Sequence, residues 1–409
     1  MSASFFIAKR YLLAKRKGLF SMITTVIGVA GVTLAVAALI ITLAVMNGFQ
    51  TDIKQKVIDA QAHVTIYGRF DGEELHNLHD EMLKDSLVEN AAPFVLGQAI
   101  LTSHGRTAGV AVKGMSLKHE QKVNSLDKSL TQGSWENFNE EPKEGEYYNI
   151  VLGEELARNL DIWLGDDVVL VSPQSAASTM GVLPKMKKFK VGGLIKTGYY
   201  EFDNTMAYCP IEAAEDFFGY TGAVTGLGLK MKNIDDSAKE ADILRNTLGL
   251  GKVVKTYEDM NRNLFAALRL EKFVMGLILS IIILVATFNI ASNLLMMSVE
   301  KLRDIGILRS MGASPAVIRG IFLWEGNMIA LSGIAIGLVL GIGISWFVGT
   351  YPVIQLPSDI YYITKVPVDI RISDILLTTF VSYALCMAST VYPAVRASRI
   401  SPMDAIRYG

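Results

Sequence analysis

The sequence has little cysteine and almost no net charge, and each shortage excludes a class of protein. Only two of the 409 residues are cysteine, Cys209 in a polar region and Cys386 in an apolar run. Such different surroundings place them in different compartments, so we predict that they are unpaired and that no disulfide framework holds the fold. The formal net charge of −1 leaves no excess of basic residues for binding nucleic acid.

The common signatures of catalysis are missing as well. The sequence contains no H-E-x-x-H and no G-x-x-x-x-G-K-[ST] phosphate loop, since segment 249–252 lacks both the spacing and the hydroxyl residue. His76 and His79 are three residues apart on a predicted helix, a pattern more typical of a solvated face than of a metal site. No local Ser-His-Asp or Cys-His pairing is suggested. We therefore predict no catalytic residues, no metal site and no cofactor bound by this chain.

Long uncharged runs are what the sequence has instead. It is 51% hydrophobic and only 19% charged, and the segments 18–51 and 273–299 carry no charged residue at all. About 20 apolar residues are enough for a helix to cross a bilayer. The first run is too long for the core of a signal peptide, so we expect it to remain in the mature protein. Four spans are predicted, at 18–47, 271–299, 318–349 and 375–395.

The polar segments between these spans complete the predicted organisation. Segment 1–17 combines apolar and basic residues, as in an amphipathic helix at the membrane surface. Residues 48–270 mix short strand and helix patterns, such as a strand at Val64–Tyr67 and a helix at Glu73–Leu87, and are long enough for two subdomains. The predicted fold class is an α-helical membrane protein with a large α+β domain inserted between helices 1 and 2.

The distribution of basic residues predicts the topology. Segment 1–17 has five basic and no acidic residues, 300–319 has four basic and two acidic, and the tail 396–409 has three basic and one acidic. The short loop 350–374 has two basic and three acidic residues. The positive-inside rule therefore places both termini and 300–319 in the cytoplasm, and the inserted domain outside.

A short amphipathic helix is predicted between spans two and three, within segment 300–317. Leu302, Ile305 and Leu308 recur at a spacing of three residues, which puts them on one helix face. Gly312 is placed to end this helix, and Ser314 with Pro315 is placed to begin the next one. A short helix at a membrane face is suited to docking on a soluble partner.

Small residues recur every four positions along span three. Gly333, Gly337, Gly341, Ser345 and Gly349 lay a smooth stripe along one helix face. Such a stripe allows a second helix to approach closely. The spans hold almost no ionisable residues apart from Glu325, which disfavours a proton- or ion-coupled transporter. Energy for any transport must then come from another subunit.

One segment of the inserted domain, 172–188, is longer than a hairpin loop needs. Hairpin loops normally take two to five residues, yet this segment separates a strand ending at Val171 from a strand predicted at Phe189–Val191. From the residues alone it is either a disordered insertion or an arm that projects to grip a partner.

With these features in place, the sequence resembles the LolC/LolE family of lipoprotein-releasing permeases, within the wider superfamily of MacB/FtsX-type ABC permeases. The resemblance covers essentially the whole chain, and its motifs are specific together but weak singly. They are Met46-Asn47-Gly48-Phe49, Arg269-Leu270-Glu271-Lys272, Met275-Gly276-Leu277, Phe288-Asn289-Ile290, Glu300-Lys301, Ile305-Gly306-Ile307-Leu308-Arg309, Tyr392-Pro393-Ala394-Val395-Arg396, Pro402 and Ala405-Ile406-Arg407-Tyr408.

The resemblance implies an assembly in the bacterial inner membrane. In that family two permease subunits and two copies of a cytoplasmic LolD-like ATPase extract lipoproteins, and a periplasmic LolA-like carrier receives them. ATP and Mg would be used by the ATPase. The second permease subunit would be an identical copy or a LolE-like paralogue. The arm is similar to the carrier-binding hook of the LolC type, although Thr179 stands where that hook has a proline and the arm is one residue shorter.

Three sets of site residues follow from these arguments. The ATPase-coupling set is Glu300, Lys301, Arg303, Asp304, Ile305, Ile307, Leu308 and Arg309. The carrier-binding hook is Pro173, Met180, Gly181, Val182, Leu183 and Pro184, flanked by Lys185, Lys187 and Lys188, whose positive charge suits a carrier with an acidic rim. The lipoprotein cavity, expected at the outer ends of spans one and two, is Val45, Met46, Phe49, Phe265, Leu268, Met275 and Leu279.

Two other functions remain open from sequence. One is a signalling scaffold like the cell-division permease, which transmits ATPase motion to an external hydrolase and moves no lipid. The other is a subunit of a small-molecule efflux system. The arm favours lipoprotein release over both, because a hook has a purpose only where a carrier must dock.

Overall fold

A computed structural model describes residues 3–13, 19–136, 138–178, 181–249, 251–351 and 366–399. The chain forms two compact units. One is helical and comprises the residues up to Thr51 together with most residues from Ala267 onward; the other is built on Asp52–Ala266. Both cysteines are buried and unpaired, as the sequence predicts.

In the middle of the chain the described helices alternate with strands, whereas the described elements near both ends are all helices. The helices are α1 (Ala3–Leu13), α2 (Leu19–Ala60), α3 (Gly72–Lys84), α4 (Leu117–Glu120), α5 (Glu154–Leu160), α6 (Tyr200–Thr205), α7 (Ile211–Phe218), α8 (Ser237–Thr247), α9 (Tyr257–Met260), α10 (Arg262–Glu300), α11 (Leu302–Ser310), α12 (Pro315–Thr350) and α13 (Ile372–Ser398). The strands are β1 (Val64–Asp71), β2 (Val88–Ser103), β3 (Arg106–Met115), β4 (Leu130–Gly133), β5 (Tyr148–Gly153), β6 (Asp167–Ser178), β7 (Gly181–Ile195), β8 (Met206–Pro210), β9 (Ala223–Met231) and β10 (Val253–Thr256).

Four helices among the described residues are long and apolar enough to cross a membrane: those over Thr25–Ala60, Arg262–Glu300, Pro315–Thr350 and Ile372–Ser398. Two of them, α2 and α10, continue well beyond the apolar runs from which they were predicted. Helix α2 extends to Ala60, where Lys56 pairs with Asp52 at 2.8 Å and Gln55 donates to Asp59 at 2.9 Å. These i,i+4 pairs stabilise polar helix. An apolar run therefore marks the part of a helix suited to lipid and leaves the helix ends undetermined.

The stripe of small residues on α12 packs against α2. The hydroxyl of Thr33 donates to the carbonyl of Gly333 at 3.2 Å. A methyl group added at Gly333 would lie 2.7 Å from Cβ of Val32, and one added at Gly337 would lie 2.8 Å from Cβ of Val36. The backbones approach so closely because these positions carry no side chain.

The ten described strands join in one sheet. The order is β10-β1-β9-β2-β3-β8-β5-β7-β4, and β6 pairs with both β2 and β7. All pairings are antiparallel except β3 with β8 and β5 with β7. The strands are continuous through hydrogen bonds and Asp52–Ala266 lies within one compact unit, and the division of this region into two subdomains stays a prediction. Short strand patterns predicted the elements but not their pairing partners.

The sheet unit places its main core on one face of the central strands. Val64 and Ile66 of β1 are fully buried there, together with Val95 of β2 and Val112 of β3. Helices α3, α5, α7 and α8 cover this face with apolar side chains, among them Leu78, Leu156, Phe217 and Leu244. Because side chains alternate along a strand, the residues between these positions lie on the opposite face.

Candidate partner-docking and lipid-contact sites

The predicted arm is a β-hairpin, which corrects the expectation of a long loop between Val171 and Phe189. Strands β6 and β7 pair along Asp167–Val171, shift register, and pair again from Ser175–Pro184 to Ser178–Gly181. The shift falls at Pro173, which has no backbone N–H to give to a ladder. Only residues 179 and 180 separate the strands. The prediction missed the hairpin because Pro, Ser and Gly in this segment are typical of loops.

The hook residues are placed by this register. Gly181 pairs with Ser178, Val182 with Ala177, Leu183 with Ala176, and Pro184, which is exposed, with Ser175. Pro173 lies in the irregular step of β6. Met180 and Thr179 lie outside the described residues. The described hook residues are thus brought together at the distal end of one hairpin.

The base of the arm is tied to α7 by charge. Nζ of Lys187 lies 2.6 Å from Oδ2 of Asp216 and also donates to the carbonyl of Ala213 at 3.3 Å. Nζ of Lys185 lies 3.3 Å from Oδ1 of the same carboxylate and also donates to the backbone carbonyl of Asp216. These hydrogen bonds and charges hold the pKa of Asp216 below its usual value.

These contacts change the expected role of the lysines that flank the hook. Lys185 and Lys187 share the single carboxylate of Asp216, and the ammonium of Lys187 also lies 4.9 Å from the ring centre of Tyr148. The ammonium of Lys188 lies 5.6 Å from the ring of Tyr147. Residues predicted to attract a carrier are engaged in holding the hairpin. This pairing could not be predicted from the sequence, because Asp216 is more than twenty residues away from both lysines.

The predicted coupling helix is α11, and its two ends are built as the sequence indicates. It begins after Lys301, which breaks the helical path from α10. At its other end Gly312 adopts φ +96°, its N–H donates to Arg309 and the N–H of Ala313 donates to Leu308. This is a Schellman ending, which favours glycine. Ser314 and Pro315 then form the N-cap and first position of α12.

The predicted coupling residues divide between two faces of α11. Ile305 is 1% exposed and belongs to the core of the helical unit, Leu308 packs beside it, and a guanidinium N–H of Arg309 donates to the carbonyl of Ser398 at 3.4 Å. Their role in this structure is to attach the helix. The residues Glu300, Arg303, Asp304 and Ile307 face outward and are exposed, and Lys301 is half-buried.

One outward residue was missed. Met311, which follows the last residue of α11, is 79% exposed, and Ile307 is 46% exposed. Arg303, Ile307 and Met311 are four residues apart, the spacing of one helix face. Met311 was not among the predicted coupling residues, although the predicted docking helix extended from Glu300 to Met311.

Helix α1 lies beside α11 and extends this surface. The ring of Phe5, in α1, packs edge-on against the ring of Trp324 in α12, with the ring centres 5.1 Å apart. This contact attaches α1 to the helical unit. A groove of about 310 Å³ runs between α1 and α11, lined by Phe6, Ile7, Arg10, Tyr11, Asp304, Ile307 and Leu308. Burial, with the carboxylates of Asp304 and Glu325, raises the pKa of the Tyr11 phenol to about 12, so Tyr11 is neutral there.

The predicted cavity residues are not all in one unit. Val45 and Phe49 of α2 are half-buried and Met46 is buried. Leu268 and Met275 of α10 are half-buried, and the amide of Gln50 donates to the carbonyl of Leu268 at 3.3 Å, so the two helices are neighbours here. Phe265 falls in the sheet unit, packed edge-on against Tyr257 at 5.6 Å. The side chain of Leu279 lies outside the described residues.

A network at the end of the α2 apolar run was not foreseen. The buried Asn47 donates to Asp374 at 2.5 Å, and Arg371 contacts both Asp369, at 2.9 Å, and the hydroxyl of Thr51, at 3.1 Å. A Cβ at Gly48 would lie 2.6 Å from the backbone nitrogen of Val368. The Met-Asn-Gly-Phe motif thus attaches α2 to the segment that leads into α13.

Among the described residues no group of three or more His, Cys, Asp or Glu side chains is arranged to hold a metal. His76 and His79 instead lie near Asp80, at 3.5 and 3.7 Å.

Comparison with known proteins matches both halves of this arrangement. Residues 25–246 match the MacB-like periplasmic core domain, and residues 276–402 match the FtsX-like permease C-terminal domain. The lipoprotein-releasing system transmembrane protein LolC of Xylella fastidiosa is 35% identical over 98% of each chain. The chain belongs to the LolC/LolE family. LolE of Haemophilus influenzae, in the same family, is 28% identical over 99% of each chain.

Membership of the LolC/LolE family makes the chain a membrane permease of the MacB/FtsX type. The FtsX-like match includes α11, and the MacB-like match includes the arm. Among solved structures, the periplasmic region of MacB from Actinobacillus actinomycetemcomitans aligns with a TM-score of 0.32 at 12% identity, covering 51% of this chain and 94% of that one.

Proposed function

We propose that this chain is the permease subunit of an ATP-driven lipoprotein-releasing complex. The complex takes lipoproteins destined for the outer membrane from the inner membrane and passes them to a periplasmic carrier. ATP and Mg are used by a separate cytoplasmic ATPase dimer, and this chain catalyses nothing. The observation that carries the proposal is full-length similarity to proteins named for lipoprotein release.

The ATPase contact is assigned to the outward face of α11. Ile307 and Met311 offer exposed apolar side chains, and Arg303 and Asp304 offer charges of both signs beside them. The groove between α1 and α11 adds the exposed ring of Phe6 to this surface. Ile305 fixes the opposite face in the core of the helical unit. A displacement of α11 by the ATPase would therefore move α10 and α12 as well. Only Lys301 separates α11 from α10, and four residues separate it from α12.

The carrier contact is assigned to the distal half of the hairpin arm. Its backbone is ordered by ladder pairing up to Ser178–Gly181, so less conformational entropy is lost on binding than for a free loop. Asp216 fixes its base through two lysines. The apolar hook residues Val182 and Leu183 then meet the carrier.

The lipoprotein is proposed to enter beside the neighbouring helices α2 and α10, where Met46, Phe49, Leu268 and Met275 lie. Flexible methionine side chains suit acyl chains of varying shape. Both termini are placed in the cytoplasm and the sheet unit in the periplasm by the distribution of basic residues. The second permease subunit is a copy of this chain or a LolE-like paralogue.

Reconstitution tests the function directly. The chain, its ATPase and an acylated lipoprotein are placed in proteoliposomes, and transfer to soluble carrier is measured with ATP and with a non-hydrolysable analogue. We expect ATP-dependent transfer of the acylated lipoprotein. A complex that hydrolyses ATP and binds its partners but transfers no lipoprotein would contradict the proposal and favour the signalling function.

A further inference from the structure

The sheet unit contains a cavity that none of the predicted sites uses. Its volume is about 670 Å³, within the range of roughly 300–1,000 Å³ that is usual for small-ligand sites. All its lining residues belong to the sheet unit. They come from the end of α2, the face of the sheet opposite the main core, α6, and the segment from Met260 into the start of α10.

The floor of the cavity is an apolar and aromatic sheet face. Tyr67 of β1, Phe94 and Leu96 of β2, Ala111 of β3 and Met206 of β8 line it from four different strands. The rings of Tyr67 and Phe94 meet edge-on at 6.0 Å, and the hydroxyl of Tyr67 lies 3.1 Å from Sδ of Met260. Rigid rings with two adaptable methionines form a surface that accommodates a flexible apolar group.

The floor offers side chains and no free backbone. Strand β1 pairs with β9 and β10, β2 with β9 and β3, and β3 with β2 and β8. An extended peptide that binds by strand addition needs an unpaired sheet edge. The geometry of the floor therefore favours an apolar chain over a peptide backbone.

The rim carries several hydrogen-bond donors and one exposed carboxylate, Glu201, which accepts a hydrogen bond from the hydroxyl of Tyr199 at 2.8 Å. Lys255 and Arg262 are exposed at it, and Asn261 and Asn263 stand beside them. The amide nitrogen of Gln61 is shielded from solvent and has no hydrogen-bond partner among the described residues. A shielded donor without a partner is costly, and an acceptor such as an ester carbonyl would satisfy it.

The charged side chain of the cavity floor, Lys113, is already paired. The ammonium of Lys113 is held by the buried carboxylate of Glu120 and lies 5.1 Å from the ring of Phe94. Glu120 also accepts a hydrogen bond from Asn124 at 2.5 Å. The floor therefore presents no free charge, which suits a neutral ligand with an apolar chain.

We propose that this sheet-face cavity holds one acyl chain of the lipoprotein, with the ester or amide carbonyl of its head group at the donor-bearing rim. The inference rests on the proposed function and adds a contact in the sheet unit, distinct from the proposed lipid contacts at Met46, Phe49, Leu268 and Met275.

Photocrosslinking tests occupancy. A photoreactive amino acid is placed at Leu96 in the full chain, reconstituted with its ATPase in proteoliposomes, and a purified acylated lipoprotein is the probe. The matched control position is Ile100, which is exposed on the same strand but outside the lining. We expect ATP-dependent capture at position 96 and background at position 100. Equal capture at both positions would overturn the proposal.

A second probe separates the acyl chain from the polypeptide. It is the same lipoprotein with its lipid-bearing cysteine replaced by serine, so that it carries no acyl chain. We expect its capture at position 96 to fall to background. Capture equal to that of the acylated form would show that the cavity binds polypeptide and would refute the acyl-chain assignment.

Filling the cavity tests its role in transfer. Ala111→Trp places a large ring on the floor and is expected to lower transfer to the carrier about tenfold, equivalent to losing burial of roughly two methylene groups. Ile100→Trp is the control and should transfer normally. Normal transfer by folded, ATPase-bound Ala111→Trp would overturn the inference while leaving the proposed function intact. Absence of transfer in the unmodified complex would instead refute the proposed function itself. If Ala111→Trp fails to fold, the crosslinking result at position 96 decides whether the cavity holds an acyl chain.

Discussion

The two proposed docking elements, α11 and the hairpin arm, are held in opposite ways. Helix α11 is attached along one whole face, through Ile305 in an apolar core and Arg309 on the carbonyl of Ser398. The arm is attached only at its base, where β6 and β7 pair with neighbouring strands of the sheet and two lysines contact the exposed carboxylate of Asp216. An element that transmits motion must move with its unit, whereas an element that captures a partner must reach away from it. Apolar burial suits the first task and local charge pairing the second.

The largest expected effect comes from shortening the arm. Replacing residues 176–183 by Asn-Gly closes the hairpin at the Ser175–Pro184 pair with a two-residue turn that strand twist favours. Carrier binding should fall to background while ATPase binding is unchanged, as measured by pull-down of the reconstituted complex. Thr179→Pro, which restores the family pattern, is the control and should retain the carrier. Undiminished carrier binding by the shortened arm would refute its assignment as a hook.

A break in α11 should have the next largest effect. Ile307→Pro removes an N–H from the helix interior and costs roughly 3 kcal/mol, so the outward face can no longer form. ATP hydrolysis should continue without lipoprotein transfer, in a protein that is still correctly inserted. Ile307→Ala keeps the helix and should lose only part of the coupling. Full transfer by the proline variant would show that α11 does not couple the two activities.

The helix ending at Gly312 should give a smaller effect on the same element. Its φ of +96° costs a residue with Cβ roughly 1–2 kcal/mol. Gly312→Ala should loosen α11 and lower transfer per ATP hydrolysed. Gly312→Asn is the matched control, because asparagine tolerates positive φ better. A side chain at this position meets no steric obstacle, because nothing lies within 4 Å of an added Cβ. The two variants therefore differ in how well they tolerate positive φ, and identical behaviour would exclude backbone conformation as the cause.

The smallest expected effect concerns the base of the arm. The lowered pKa of Asp216 means that its pairing stabilises the arm above the unfolded carboxyl pKa of about 4 and is lost as pH falls through the lower folded value. Because the side chain is largely exposed, Asp216→Asn should cost at most about 1 kcal/mol. Hydrogen exchange of β7 amides should rise in the variant at pH 7 and resemble wild type in strong acid.

Glu212→Gln, on the same helix and also exposed, serves as the control for that measurement. It should leave the exchange of β7 unchanged at every pH. High salt should reduce the difference between wild type and Asp216→Asn, because screening weakens exposed ion pairs. A difference that persists in high salt would point to the hydrogen bonds of Asp216 with the two lysines in place of its charge.

Comparison of prediction and structure shows which features are local. The ends of α11 followed from Gly312, Ser314 and Pro315, because caps depend on backbone conformation within a few residues. The glycine spacing predicted that a second helix packs closely on α12, since a smooth stripe serves close packing, but the structure identified that helix as α2. The hairpin at Ser175–Pro184 did not follow, because proline and serine also occur in loops and only pairing distinguishes the two.

By itself the sequence determined the four apolar helices, the short amphipathic helix between two of them and the family. Each depends on hydropathy, spacing or motif within a continuous stretch of chain. Only the tertiary structure decided that Asp216 holds Lys185 and Lys187, that Asn47 meets Asp374, and that neighbouring strands present one open sheet face at Tyr67, Phe94 and Ala111. These contacts join residues far apart in the chain, and such pairings are set by how strands and helices pack and leave no periodic signal in sequence.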